Sequence, residues 1–266
     1  LDVGLVAKYE FNGDADDCSG SNNHGVVNGA QLTVDRFGNS DSAYSFDGND
    51  YILASQAGPL GGNARTVSVW SKTSDTSTQS MVAWGKLNAG EDFGANLSWS
   101  VEGVTTDVNT GAITYEADVD DGLWHHYAYV VPTKDNVTVG DILVYRDGVL
   151  LTERASEFIT GRVLNTSSET PITIGKWASY GFVGSIDDVY IYDRTLSHEE
   201  VTALYANQSV AASTGSLSFT PLSDQHGITT ITVTVEDGGL DGDLDTAGDN
   251  AILIRSFDVP VTPVND

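Results

Sequence analysis

The chain has 266 residues, enough for one large β-domain or for a domain with a smaller companion, and 12 Lys+Arg against 38 Asp+Glu give it a formal net charge of −26. A field of that sign repels nucleic-acid phosphates and anionic membrane surfaces, so no nucleic-acid partner and no membrane insertion is expected. No apolar run approaches the roughly 20 residues of a membrane-spanning helix, and Cys18, the single cysteine, excludes an internal disulfide and a multi-cysteine zinc site.

Period-2 patterns rich in β-branched and aromatic residues recur along the chain. They are Ala43-Tyr44-Ser45-Phe46, Thr66-Val67-Ser68-Val69-Trp70, residues 95–101, 126–131 and 142–145, Ile172-Thr173-Ile174, and residues 185–192. This predicts an antiparallel all-β domain. Asp147-Gly148 lies between two such runs and supplies the φ > 0 positions of a two-residue hairpin. One helix is predicted over 196–205, where Ser197 caps the N-terminus, Glu200 reaches back, and Val201, Leu204 and Tyr205 share a face. Residues 208–215 are small and polar and read as a linker, after which strands resume at Ser216-Leu217-Ser218-Phe219, at 230–235 and at 251–261. A three-stranded sheet of that size is marginal alone, so its edges are expected to pair with neighbouring domains or chains. With no starting Met and no signal-type segment at Leu1, the chain is expected to be a mature or excised piece.

Several segments carry a family resemblance: Lys8-Tyr9-Glu10-Phe11-Asn12-Gly13-Asp14, Arg36-Phe37-Gly38-Asn39, Trp124-His125-His126-Tyr127, Tyr145-Arg146-Asp147-Gly148, and Gly184-Ser185-Ile186-Asp187-Asp188. Residues 1–207 resemble the bacterial laminin G-like domains of the concanavalin A-like class. The resemblance implies an all-β, two-sheet antiparallel jelly-roll sandwich with one short C-terminal helix. Residues 216–266, with Glu236-Asp237-Gly238-Gly239 and the ending Val264-Asn265-Asp266, resemble the second half of a bacterial immunoglobulin-like or cadherin-like repeat of large surface proteins.

The same resemblance implies a calcium ion (Ca2+) on the convex side, held by a carbonyl near the N-terminus, another from a Gly-containing turn, and an Asp on the last long strand. The matching positions are Glu10, Gly48 and Asp187, with Asp47 as a substitute; the alternative is that Asp187 and Asp188 solvate or cap a strand end. Asp14, Asp16 and Asp17 precede a Ser-Gly turn and suit Asx-turns. A second acidic cluster places carboxylates at Asp241, Asp243 and Asp245, like the first half of an EF-hand loop, yet Thr246 and Ile252 stand where that loop needs Gly and Glu. A calcium-stiffened loop and a solvated acidic loop both fit it.

No alternating paired-glutamate strand motif and no Gly-x-Ser-x-Gly elbow occurs, so no catalytic residue is assigned. Aromatic faces suit the C–H faces of pyranose rings, and Trp84, Trp177 and Tyr180, near glycines, are the glycan candidates, with Trp99 a further one and Lys86, Asp92 and Asn96 as polar neighbours. Trp70 and Trp124 read as core, and the others admit the same reading. The expectation is a non-catalytic, calcium-binding, secreted or cell-surface module for adhesion or glycan recognition, its partner a glycan or a cell-surface or matrix protein. The alternatives are an accessory carbohydrate-binding domain of a secreted polysaccharide-degrading enzyme and a structural spacer.

Overall fold

The computed structural model describes residues 2–98, 103–208, 227–236 and 252–261. In chain order the strands are β1 (Leu5–Tyr9), β2 (Gly25–Asn28), β3 (Gln31–Thr33), β4 (Ala43–Asp47), β5 (Tyr51–Ala54) and β6 (Arg65–Lys72). They continue with β7 (Gln79–Gly85), β8 (Asp92–Ser98), β9 (Gly103–Asp107), β10 (Ala112–Glu116), β11 (Trp124–Val131), β12 (Leu143–Arg146) and β13 (Val149–Leu150). Then come β14 (Arg154–Phe158), β15 (Thr170–Ile174), the short β16 (Lys176–Trp177) and β17 (Tyr180–Gly181), the long β18 (Val183–Tyr192), the helix α1 (His198–Gln208), and finally β19 (Gly227–Glu236) and β20 (Ile252–Val261).

The chain divides into two compact units, Leu1–Ala211 and Ala212–Asp266. The first unit is a sandwich. One eight-stranded sheet has the order β13-β12-β11-β6-β18-β4-β3, with β1 also on β18, and the other runs β14-β10-β9-β8-β7-β15-β5-β2. Period-2 alternation sends one face of each sheet into a shared core. The first contributes Tyr9, Phe46, Val67, Val69, Tyr127, Tyr129 and Ile186, the second Ile52, Met81, Trp84, Phe93, Leu97, Ile113 and Ile172.

The predicted turn and cap both form. Arg146 pairs with Val149 across Asp147 and Gly148, whose φ angles are 50° and 76°. At the start of α1 the Ser197 N–H donates to Glu200 Oε2 at 2.8 Å and the Glu200 N–H donates to Ser197 Oγ at 3.2 Å, the reciprocal pair of a capping box. Val201 and Leu204 then bury against Ala128, Val130, Tyr145 and Tyr192, so the helix covers the outer face of the first sheet. Tyr205 stacks on Trp70 with centroids 5.8 Å apart. Trp70 therefore lies beneath the helix and not between the sheets.

β18 carries one extra residue relative to β6. Asp187 stands opposite Trp70 and Tyr190 opposite Ser68, and between them Asp188 takes φ 44°. Such a bulge lets two consecutive side chains leave the sheet on one side. In the second unit, β19 and β20 form a two-stranded antiparallel sheet in continuous register from Gly227 with Val261 to Glu236 with Ile252. The strand expected at 216–219 lies outside the described residues.

Candidate functional site

The outer face of the second sheet is built from small and polar residues. Cross-strand pairing places Tyr51 opposite Asn28, Leu53 opposite Thr173, Thr173 opposite Ala83, Ala83 opposite Gly94, and Gly94 opposite Asp107. Because Ile52 and Ile174 point into the core, Tyr51, Leu53 and Thr173 point away from it. At this end of the sheet a cavity of about 510 Å³ opens, within the 300–1,000 Å³ typical of ligand sites. Its floor is Leu53 and Thr173, and its walls are Tyr51, Lys86 and Leu87 after β7, Glu169 and Thr170, and Lys176, Trp177 and Ala178 of the β16–β17 hairpin.

Trp177 is held from behind. Its indole Nε1 donates to Asp92 Oδ2 at 2.9 Å, which fixes the ring against the cavity. Asp92 is itself only 3 % exposed, and its Oδ1 has no partner among the described residues. Burial pushes this carboxyl up to about 7, the charge of Asp107 adds to the shift, and the indole hydrogen bond opposes it. Asp107 is likewise raised by burial. At the rim Lys86 Nζ pairs with Glu169 Oε2 at 2.8 Å, and Lys176 Nζ donates to the Asn49 carbonyl at 3.3 Å.

The predicted glycan residues separate. Trp177 lines the cavity; Tyr180 pairs with it across the hairpin and is 45 % exposed, but does not line the cavity. Trp84 corrects the expectation, because it is fully buried with Phe93 4.8 Å away and donates Nε1 to the Pro59 carbonyl at 3.1 Å. Its ring is also covered by Gly58, where a Cβ would come within 2.6 Å of it, so no face remains for a sugar. Asp92 and Lys86 both reach the site, Asn96 lies on the same sheet face farther along β8, and Trp99 lies outside the described residues. Sequence reasoning missed Tyr51; the signal was its alternation with the apolar Ile52 just after the Asp47-Gly48 turn.

Of the residues expected to hold calcium, Asp47 and Gly48 lie apart from Asp187. Asp47 is paired with Val183, and Asp187 lies four residues farther along β18, about 13 Å away at 3.3 Å per residue. Asp47 is exposed and accepts the Asn49 N–H at 2.8 Å, while the Gly48 N–H donates to the Phe182 carbonyl at 2.8 Å. Glu10 follows Tyr9, which pairs with Val189, so it lies close to Asp188, whose pKa its charge helps to raise; its own carboxylate pairs with Lys8 at 2.6 Å. Asp187 and Asp188 instead hold Arg36, with Nη1 2.5 Å from Asp187 Oδ2 and Nη2 2.6 Å from Asp188 Oδ2. The guanidinium lies over Phe37 and Trp70, 4.4 and 4.6 Å from the ring centroids. Burial and the neighbouring Asp188 charge push Asp187 up, and Arg36 opposes them. A cation from the chain itself already meets these carboxylates, so the residues present do not fit a metal ion there. Among the described residues no group of three or more His, Cys, Asp or Glu side chains is placed to hold one. Asp241, Asp243 and Asp245 lie outside the described residues.

The remaining acidic and histidine motifs close loops. Asp14 Oδ1 accepts the Asp16 N–H at 2.9 Å, and Asp17 accepts the N–H groups of Lys8, Ser19 and Asn23. His125 Nδ1 lies 2.7 Å from Asp147 Oδ2 and is raised first by that hydrogen bond, while Asp147 Oδ1 accepts the His126 N–H at 2.9 Å. His126 is fully buried with Nε2 2.8 Å from Ser68 Oγ, and burial lowers its pKa to about 3. His126 is thus closed to a substrate, while the partly exposed His125 is held between Asp121 and Asp147.

The family described as Concanavalin A-like lectin/glucanases superfamily, of a laminin G type, matches residues 46–202. No curated protein sequence matches the chain. Among solved structures, domain 4 of AbnA, a GH43 extracellular arabinanase from Geobacillus stearothermophilus in complex with arabinotriose, is similar with a TM-score of 0.57 at 21 % identity, over 76 % of this chain and 98 % of that one. The binding domain of Paraclostridial Mosquitocidal Protein 1 gives 0.57 at 17 % identity, over 77 % of this chain and 52 % of that one. The binding domain of botulinum neurotoxin DC, in complex with rat synaptotagmin II, gives 0.55 at 14 % identity, over 78 % and 52 %. The chain thus spans about half of the two toxin domains, and at these identities the likeness is one of fold.

Proposed function

Since the chain belongs to the concanavalin A-like lectin/glucanases superfamily, matched over residues 46–202, we propose that its first unit is a non-catalytic carbohydrate-binding module that takes a short glycan in the cavity beside Trp177. The observation that carries this reading is the cavity itself. It combines an aromatic wall of Trp177 and Tyr51, an apolar floor at Leu53, and polar groups on Lys86, Glu169, Thr173 and Lys176, the mixture that sugar rings and their hydroxyls require. Two acids positioned for glycoside hydrolysis are not found at the cavity, where Glu169 is paired with Lys86 and Asp92 stands behind the Trp177 ring. The neighbouring arabinanase domain carries arabinotriose, which makes arabino-oligosaccharides the first neutral probes. The reading extends to a module working outside the cell, in adhesion or as the accessory domain of a polysaccharide-degrading enzyme.

The test is titration calorimetry against a glycan panel, with Tyr51→Ala and Thr173→Arg as variants. Removing the Tyr51 ring is expected to weaken binding about tenfold, and an arginine at position 173 to block it, with melting temperatures close to wild type. Glycan binding that ignores both changes would move the ligand to another surface. Absence of binding to every glycan in the panel would end the carbohydrate reading.

A further inference from the structure

Resting on that carbohydrate-binding reading, we propose that the cavity selects sugars bearing an acidic group, a uronic-acid carboxylate or a sulfate ester, over their neutral counterparts, and that Lys176 is the residue that recognises the charge. The whole chain holds five lysines, Lys8, Lys72, Lys86, Lys134 and Lys176, against 38 acidic residues, and two of the five line this one cavity. Glu169 is the only acid among the lining residues, so a wall of net positive charge sits on a chain of net charge −26.

The lysines are not equivalent. Lys8, Lys86 and Lys134 each pair with a carboxylate, those of Glu10, Glu169 and Asp141, at 2.6 to 2.8 Å. Lys176 has no carboxylate partner among the described residues; its one hydrogen bond there goes to the Asn49 carbonyl. An ammonium group carries three donors, so two of them remain for a ligand. The Tyr51 hydroxyl also makes no hydrogen bond with the described residues, which leaves another donor at the wall. Two ammonium groups against one carboxylate thus favour a sugar bearing a carboxylate or sulfate over a neutral one of the same shape.

The field of the whole chain limits the ligand's length. At 0.15 M salt the surrounding acids are screened beyond about 8 Å, so the lysines dominate inside the cavity, while a long polyanion lying across the acidic surface is repelled. The ligand is accordingly a chain end or a short acidic segment.

The experiment uses the full chain with four probes: an oligogalacturonide, its methyl-esterified counterpart, a sulfated galactan oligosaccharide and a neutral galacto-oligosaccharide. The expected result is that the oligogalacturonide or the sulfated oligosaccharide binds about tenfold more tightly than its uncharged counterpart, since a charge-assisted hydrogen bond exceeds a neutral one by that order. Which of the two binds distinguishes carboxylate from sulfate. Lys176→Gln is expected to weaken the acidic probes about tenfold more than their neutral counterparts, bringing the two affinities together, and raised salt to act in the same direction. Glu169→Gln is expected to widen the preference, because it releases Lys86 and removes the one acid of the wall. Equal binding of charged and uncharged probes, or a preference untouched by Lys176→Gln, overturns the proposal and leaves the carbohydrate-binding reading standing. Failure of all four probes together with the neutral arabino-oligosaccharides overturns both.

Discussion

The indole N–H of Trp177 donates to Asp92 Oδ2 at 2.9 Å across a sequence separation of 85 residues, tying the β16–β17 hairpin to the start of β8. The bond makes the aromatic wall of the cavity depend on a carboxyl group whose pKa burial lifts from 3.8 to about 7. The folded chain holds that proton more tightly than the unfolded chain, so the stability contributed by protonated Asp92 is full below about pH 4 and is lost as pH rises through about 7. Asp92→Asn keeps an acceptor for the indole and removes the titration. Its stability relative to wild type is therefore expected to improve between pH 5 and pH 8, by about 1 kcal/mol or more. Urea unfolding of both proteins at the two pH values measures it, and parallel profiles would remove Asp92 from the account.

His126 acts in the opposite direction. Full burial lowers its pKa from 6.5 to about 3, so the unfolded chain takes up a proton that the folded chain refuses. Its contribution to stability is present above about pH 6.5 and is lost as pH falls toward about 3, at about 1.4 kcal/mol per pH unit. His126→Gln retains a hydrogen-bonding group for Ser68 and does not titrate. Unfolding free energies of the variant are expected to fall less steeply than those of wild type between pH 6 and pH 4.

Arg36 compensates two carboxylates at once. Its side chain is 7 % exposed, and those of Asp187 and Asp188 are 3 % and 13 % exposed. Arg36→Gln leaves both charges buried without their cation, and the expected cost is about 3–5 kcal/mol. Adding Asp187→Asn to that variant should recover part of it, because one uncompensated charge then disappears. The same geometry makes a prediction about metal: the difference in melting temperature between Asp187→Asn and wild type is expected to be equal in calcium and in chelator. A difference that appears only in calcium would restore Asp187 as a ligand.

Trp84 separates packing from binding. With its ring enclosed by Phe93 and Gly58, Trp84→Ala is expected to cost about 3–5 kcal/mol through the cavity it leaves. Trp84→Phe retains most of the volume and should fold with glycan affinity within about twofold of wild type. A tenfold loss of affinity in the folded Trp84→Phe protein would place this residue at the ligand after all.

Local chemistry determined much of this protein without reference to its tertiary structure. Alternation of apolar and polar residues marked the strands around 66–70, 126–131 and 185–192, Asp147-Gly148 specified its hairpin because both positions tolerate φ > 0, and Ser197 with Glu200 specified the start of the helix. The matching segments along residues 1–207 carried the two-sheet sandwich. Which face of a strand is buried, and what lies opposite it, was decided only by the assembled sheets. Trp84 and Trp177 both stand near glycines in the sequence, yet one is enclosed by the core while the other borders a cavity. Tyr51 joined Trp177 only through the pairing of β5 with β15. Arg36 meets Asp187 across 151 residues because a single extra residue in β18, Asp188 at φ 44°, turns two neighbouring carboxylates toward it. Contacts of that kind depend on strand order and register, and a one-residue shift exchanges the faces without altering the local pattern from which the strands themselves are read.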